Sequence, residues 1–152
     1  MPVSGALDPR LLAAANGLAG NAPDVAGLEL RLVATALKAV GGPLRVALAG
    51  DVSTRLLAAS GEGRAVAAWS SVTLVDGDVL QIGRPRGTAY LAVAGGIRTP
   101  EMLGSRSTYA RAGLGLLLAP GARPPCAVFT GALERDWRAA GPLHHASGPI
   151  RV

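Results

Sequence analysis

The sequence predicts a mainly β domain that carries one short helix near its start. Three observations predict it. Apolar and polar side chains alternate over several short runs, the period of a strand with one face on a core. With 21 glycines and 11 prolines in 152 residues, the backbone turns often, which favours short strands over a few long helices. Hydrophobic residues make up 49% of the chain and aromatic ones only 3%, so a core exists but is built from Ala, Val, Leu and Ile. Many short strands at close spacing indicate a barrel or a sandwich.

The helix comes first. Asp8 can accept from exposed helix N–H groups and Pro9 suits the first helical position. Leu11, Leu12, Ala15 and Leu18 then recur at helical spacing, and Gly17, Gly20 and Asn21 end the element, so a helix is expected over 9–19. Leu28, Leu30 and Leu32 alternate with Glu29, Arg31 and Val33 as a half-buried strand. Gly41-Gly42-Pro43 interrupts the chain, and Leu44, Val46 and Leu48 begin a second strand that ends at Gly50-Asp51. Shorter strands are expected at 53–58, 64–68 and 71–75. Asp76-Gly77-Asp78 reads as a hairpin turn, because Gly at its centre supplies positive φ, with Val79–Gly83 as the return strand. Thr88–Ala94 is almost wholly apolar, the mark of a central strand buried on both faces. Beyond Gly95-Gly96, glycines at 104, 113, 115 and 121 and prolines at 100, 120, 124 and 125 indicate a long shaped loop, with one more strand at 126–130 and a weakly patterned tail over 131–152.

Charge narrows the partners. The net charge is +5, and every basic residue but Lys38 is an arginine. These arginines are scattered and not interleaved with aromatics, which reads as surface charge and not as a nucleic-acid face. The start carries no signal-peptide pattern, and the apolar runs fall short of the roughly 18 residues of a membrane span. A soluble, cytoplasmic protein is expected. Cys126 is the single cysteine, so no intrachain disulfide exists.

Few residues invite chemistry. Gly95-Gly96 after a buried strand can let backbone N–H groups cradle an anion, or can simply turn the chain. Gly104-Ser105-Arg106-Ser107-Thr108 is the most polar cluster: a guanidinium and three hydroxyls suit a carboxylate or phosphate, and equally suit a solvated loop with local turn bonds. Arg98 lies just upstream. Asp8 reads as a helix cap, Asn16 as a polar contact from the helix to a neighbouring loop, with Asn21 close by, and Glu29 as either an acid–base group or the solvent face of a strand. Asp76 and Asp78 mark a turn and not a metal pair. His144-His145 lack a third ligand nearby, and Cys126 reads as a packed strand residue. No metal site is expected. No Gly-x-Ser-x-Gly elbow, phosphate-binding P-loop or Cys-x-x-Cys pair is present.

Several blocks in order carry a resemblance. Val3-Ser4-Gly5-Ala6-Leu7-Asp8-Pro9, Ala15-Asn16-Gly17-Leu18-Ala19-Gly20-Asn21 and Leu28-Glu29 come first. Gly77-Asp78-Val79-Leu80, Ala89–Ile97 and Leu103-Gly104-Ser105-Arg106-Ser107-Thr108 follow. Over residues 3–116 the chain resembles the N-terminal half of the allophanate hydrolase subunit 2 family. That family is also known as biotin-dependent carboxyltransferase, as the C-type component of 5-oxoprolinase, or as KipA-like proteins.

The resemblance implies a cyclophilin-like β-barrel with one short N-terminal helix, incomplete here. It implies a barrel domain at 1–125 without its first strand, then a linker or tail at 126–152 leading to an absent second domain. It also implies a subunit, inactive alone, of an ATP-dependent 5-oxoprolinase that converts 5-oxoproline to glutamate, or of a related biotin-dependent carboxyltransferase. Its partners would be a subunit 1 (KipI-like) homologue and a third 5-oxoprolinase subunit, with ATP used by the complex. The other expectation from the same resemblance is a KipA-like regulatory protein that binds subunit 1 and has no chemistry of its own. Gly95, Gly96, Ser105, Arg106, Ser107 and Thr108 would form the small-anion site, with Arg106 pairing a carboxylate.

Overall fold

The computed structural model describes residues 5–115, 117–131 and 138–139. One helix, α1 (Pro9–Ala19), precedes eight strands: β1 (Leu28–Arg31), β2 (Thr35–Lys38), β3 (Leu44–Ala49), β4 (Thr54–Leu57), β5 (Gly63–Val66), β6 (Ser70–Leu74), β7 (Val79–Ile82) and β8 (Thr88–Val93). They form two four-stranded antiparallel sheets, ordered β1-β8-β3-β6 and β2-β7-β4-β5. The fold is therefore mainly β with one short helix, as the composition predicts. Among the described strands the ladders group into these two sheets.

The period of two explains the layers. On β8, Ala89, Leu91 and Val93 face the other sheet and join Val46, Leu48, Leu56, Val72, Leu80 and Ile82 in the main core. The alternate residues Tyr90 and Ala92 face outward beside Ala47 and Ala49 of β3, and α1's Leu11, Ala15 and Ala19 pack on them. Thr88–Val93 is thus buried on both faces because one face meets a sheet and the other a helix. The alanines let α1 lie close to the sheet.

The ends of α1 follow the sequence. Asp8 accepts from Arg10 N at 3.0 Å and Leu11 N at 3.1 Å, satisfying two of the free donors at the helix start. Gly20 closes the helix at φ 81°, a left-handed conformation that favours glycine. Gly50 is required for a different reason: its φ is 126°, and an added Cβ would sit 2.6 Å from the Ala89 Cβ.

Four expectations need correction. The first strand stops at Arg31, because Leu32 takes φ 65° and turns outward, leaving Leu32 and Val33 exposed. A short strand, β2, was not expected; its four residues pair with β7 along a sheet edge. The stretch 126–130 is not a strand: Cys126 makes one bridge to Ile97, and Phe129 N donates to the Pro43 carbonyl.

The fourth correction concerns Asp76-Gly77-Asp78. It is a turn, with Gly77 at φ 90°, but not a hairpin, since β6 and β7 belong to different sheets. The buried Asp78 carboxylate explains the crossing. It accepts from Val75 N and from Ala59 N, both at 2.9 Å, so it holds the chain as it passes from one sheet to the other. Asp76 accepts from Gly41 N at 2.7 Å. Among the described residues, no helix is long and apolar enough to cross a membrane.

Candidate functional site

A cleft of about 610 Å³ opens where the C-terminal end of α1, the turn after β8, the start of β3 and residues 127–131 meet. Its making begins with two asparagines. Asn16 is fully buried inside α1, and its amide nitrogen donates to the carbonyls of Val25 (2.7 Å) and Pro23 (3.1 Å). Its side-chain oxygen accepts from Asn21 Nδ2 at 3.0 Å. Asn21 also donates to the Val93 carbonyl and accepts from Gly95 N, both at 2.8 Å. A helix, a loop and the end of the central strand are thereby tied through two side chains.

Gly95 and Gly96 take φ of 76° and 80°. Glycine at 95 also lets residue 127 approach, since a Cβ there would lie 2.5 Å from that of Ala127. The Gly95 amide is committed to Asn21 and the Gly96 amide to the Val93 carbonyl at 2.8 Å. The pair therefore builds the wall of the cleft, with both donors engaged inside the protein.

Arg45 lies in the same wall and is only 4% exposed. It sits on the helix-covered face of β3. Its guanidinium donates to Ser71 Oγ at 2.8 Å and stacks 5.5 Å from the centre of the Phe129 ring. Sequence reasoning missed this residue: within Leu44–Ala49 it reads as the solvent-facing position of an alternating strand. Only the segment returning at 127–131 encloses it.

The polar loop is separate in its contacts. Arg106 donates to the Thr99 carbonyl and pairs with Glu101 Oε1 at 3.0 Å. Ser105 Oγ accepts from Ser107 N at 3.1 Å, Ser105 and Met102 bridge each other, and Thr108 is also engaged. The guanidinium thus already meets a carboxylate, that of its own loop.

Glu29 and Asp8 meet at a third place. Glu29 Oε2 accepts from Tyr90 Oη at 2.6 Å and from Leu7 N at 3.0 Å, while Tyr90 Oη accepts from Asp8 N at 3.0 Å. Burial, opposed by the Asp8 amide and aided by the Glu29 carboxylate, pushes the Tyr90 phenol up to about 12. Burial likewise pushes the Cys126 thiol up, which makes it a poor nucleophile. Among the described residues no group of three or more His, Cys, Asp and Glu could hold a metal ion. His144, His145 and most of the 131–152 tail lie outside the described residues.

Residues 1–143 match a family described as the carboxyltransferase domain, subdomain A and B. No curated protein matches the sequence. A crystal structure of TTHA0988 superposes with a TM-score of 0.73 at 32% identity, covering 84% of this chain and 48% of that one. Urea amidolyase from K. lactis superposes with a TM-score of 0.61 at 32% identity, over 69% of this chain and 6% of that one. The urea carboxylase of Kluyveromyces lactis gives the same score and identity over 69% of this chain and 9% of that one. The chain spans 48% of one TTHA0988 chain, 26% and 28% of two others, and a small part of the two urea enzymes.

Proposed function

The chain belongs to the carboxyltransferase-domain family, subdomains A and B, and from that premise we propose that it contributes to a biotin-dependent carboxyltransferase-type site. The observation that carries this reading is the family match over residues 1–143. TTHA0988 and the urea carboxylase of Kluyveromyces lactis share the fold at 32% identity. In this reading a carboxylated biotin, carried by a partner, is a substrate and not a resident group of this chain.

The finer reading is the 5-oxoprolinase one, of the allophanate hydrolase subunit 2 (KipA-like) type. There the chain pairs with a subunit 1 (KipI-like) homologue and a third subunit, and the complex opens 5-oxoproline to glutamate with ATP. In this reading the ATP is used by the assembled complex. Arg106 and the Ser105–Thr108 loop remain the proposed anion site, while the Gly95 and Gly96 amides, engaged by Asn21 and the Val93 carbonyl, shape the neighbouring wall. Arg106 would exchange Glu101 for the substrate carboxylate when the partner docks.

The test mixes the chain with both partner subunits and measures glutamate released from 5-oxoproline in the presence and absence of ATP. A parallel assay measures loss of the carboxyl group from carboxybiotin. ATP-dependent glutamate supports the 5-oxoprolinase reading, and turnover of carboxybiotin alone supports the broader one. Silence in both assays, beside a working full-length control, would remove the catalytic reading for this chain. The internal pairing of Arg106 with Glu101 favours one other reading, a KipA-like regulator that binds subunit 1 without chemistry. Co-purification with subunit 1 and no turnover is its signature.

A further inference from the structure

We infer that the cleft beside Arg45 is a binding site for a small monocarboxylate with a compact apolar body. The inference stands on geometry and is independent of the carboxyltransferase reading. A guanidinium carries five N–H donors and a permanent charge, and removing it from water is costly unless the charge is met. Arg45 is 4% exposed. Among the described residues its side chain meets one hydroxyl, Ser71 Oγ, and one ring face, Phe129. The ion pairs Glu29–Arg31 and Glu101–Arg106 do not involve it. The empty volume next to this charge is a cleft of about 610 Å³, within the usual size of a small-molecule site.

The walls choose the ligand. Leu18, Ala19, Ala94, Ala127, Val128 and Phe129 supply apolar surface, which suits a short hydrocarbon body. Arg45 offers a planar fork that matches a carboxylate with two parallel hydrogen bonds. The end of α1 that borders the cleft, Gly17–Gly20, is its C-terminus, where the helix dipole is negative. That end disfavours anions in proportion to their charge, so a monocarboxylate facing one guanidinium bears less of this cost than a phosphate dianion. Asn21 and Gly95 do not compete for it, since they are bonded to each other.

Propionate is the probe, with propionamide as its neutral isostere and inorganic phosphate as the dianion, all at matched ionic strength. Calorimetric titration of the full chain should show saturable propionate binding, weakened about tenfold or more by Arg45→Met. Propionamide and phosphate should bind at least about tenfold more weakly than propionate. Equal binding by wild type and R45M, or by propionate and propionamide, overturns the site. Preference for phosphate overturns the assigned charge. Should R45M prove too unstable to purify, the Arg45 Nε–Hε resonance of the wild-type chain serves. It should move with propionate and stay with propionamide, and a resonance unmoved by saturating propionate refutes the proposal. Activity with partner subunits plays no part in these readouts, so the two hypotheses fail separately.

Discussion

Tyr90 Oη donates a 2.6 Å hydrogen bond to Glu29 Oε2 between residues that face each other across the β1–β8 pair. The same hydroxyl accepts from Asp8 N, the amide of the residue that caps α1. One phenol therefore fixes a strand pair and the entry of the helix, and Glu29 is a structural acceptor here. Tyr90→Phe should lower stability by about 1–3 kcal/mol, because a charged acceptor and a backbone donor both lose their partner. Urea denaturation at neutral pH checks this. A change below about 0.5 kcal/mol would show that water replaces the hydroxyl without loss.

The same phenol predicts a pH dependence. Its pKa in the fold is about 12 against 10 in the unfolded chain, so the folded state holds the proton more tightly. The resulting stability is fully present below pH 10 and is lost as pH rises from 10 to 12, on the order of 2 kcal/mol. Denaturation midpoints measured from pH 8 to 12 should fall more steeply for the wild type than for Y90F above pH 10. Parallel curves would assign the fall to other groups.

The Asn16–Asn21 pair should behave as a unit. Asn16→Ala and Asn21→Ala each leave buried carbonyls or amides without partners, and each should cost about 2–4 kcal/mol. The double variant should lose less than the sum, since both changes break the shared 3.0 Å bond. Additive losses in a double-mutant cycle would mean that the two side chains act independently.

Asp78 and Asp76 differ in burial and should differ in effect. Asp78→Ala strips the partners from Val75 N and Ala59 N at the crossing between sheets and should cost about 2–4 kcal/mol. Asp76→Ala removes one bond at an exposed position and should cost under about 1 kcal/mol. Thermal melting of both variants in one buffer decides it, and equal losses would contradict the role given to Asp78.

Arg106 separates fold from function. Its pair with Glu101 is partly exposed, so Arg106→Ala should change stability by no more than about 1 kcal/mol. In the assembled complex the same variant should lower kcat/KM for the carboxylate substrate by about tenfold or more. Unchanged kinetics in a stable variant would take Arg106 out of the proposed site.

The local elements were legible in single residues and short runs. Asp8-Pro9 and Gly20 state where α1 begins and ends, because capping and left-handed φ are properties of single residues. The apolar run over Thr88–Val93 states that β8 is central, because no strand with solvent on one face needs apolar side chains on both. Asp76-Gly77-Asp78 states that the chain turns. Whether a turn closes a hairpin or crosses between sheets depends on what Asp78 reaches, and Ala59 lies 19 residues away in sequence. That crossing, the packing of Phe129 on Arg45, and the commitment of Glu29 to Tyr90 and of Arg106 to Glu101 emerge only from the folded chain. The cause in the first three is that a side chain's role is set by partners remote in sequence or returned by a loop, and in the last that loop geometry brings Glu101 onto Arg106; the period of a strand carries no information about either.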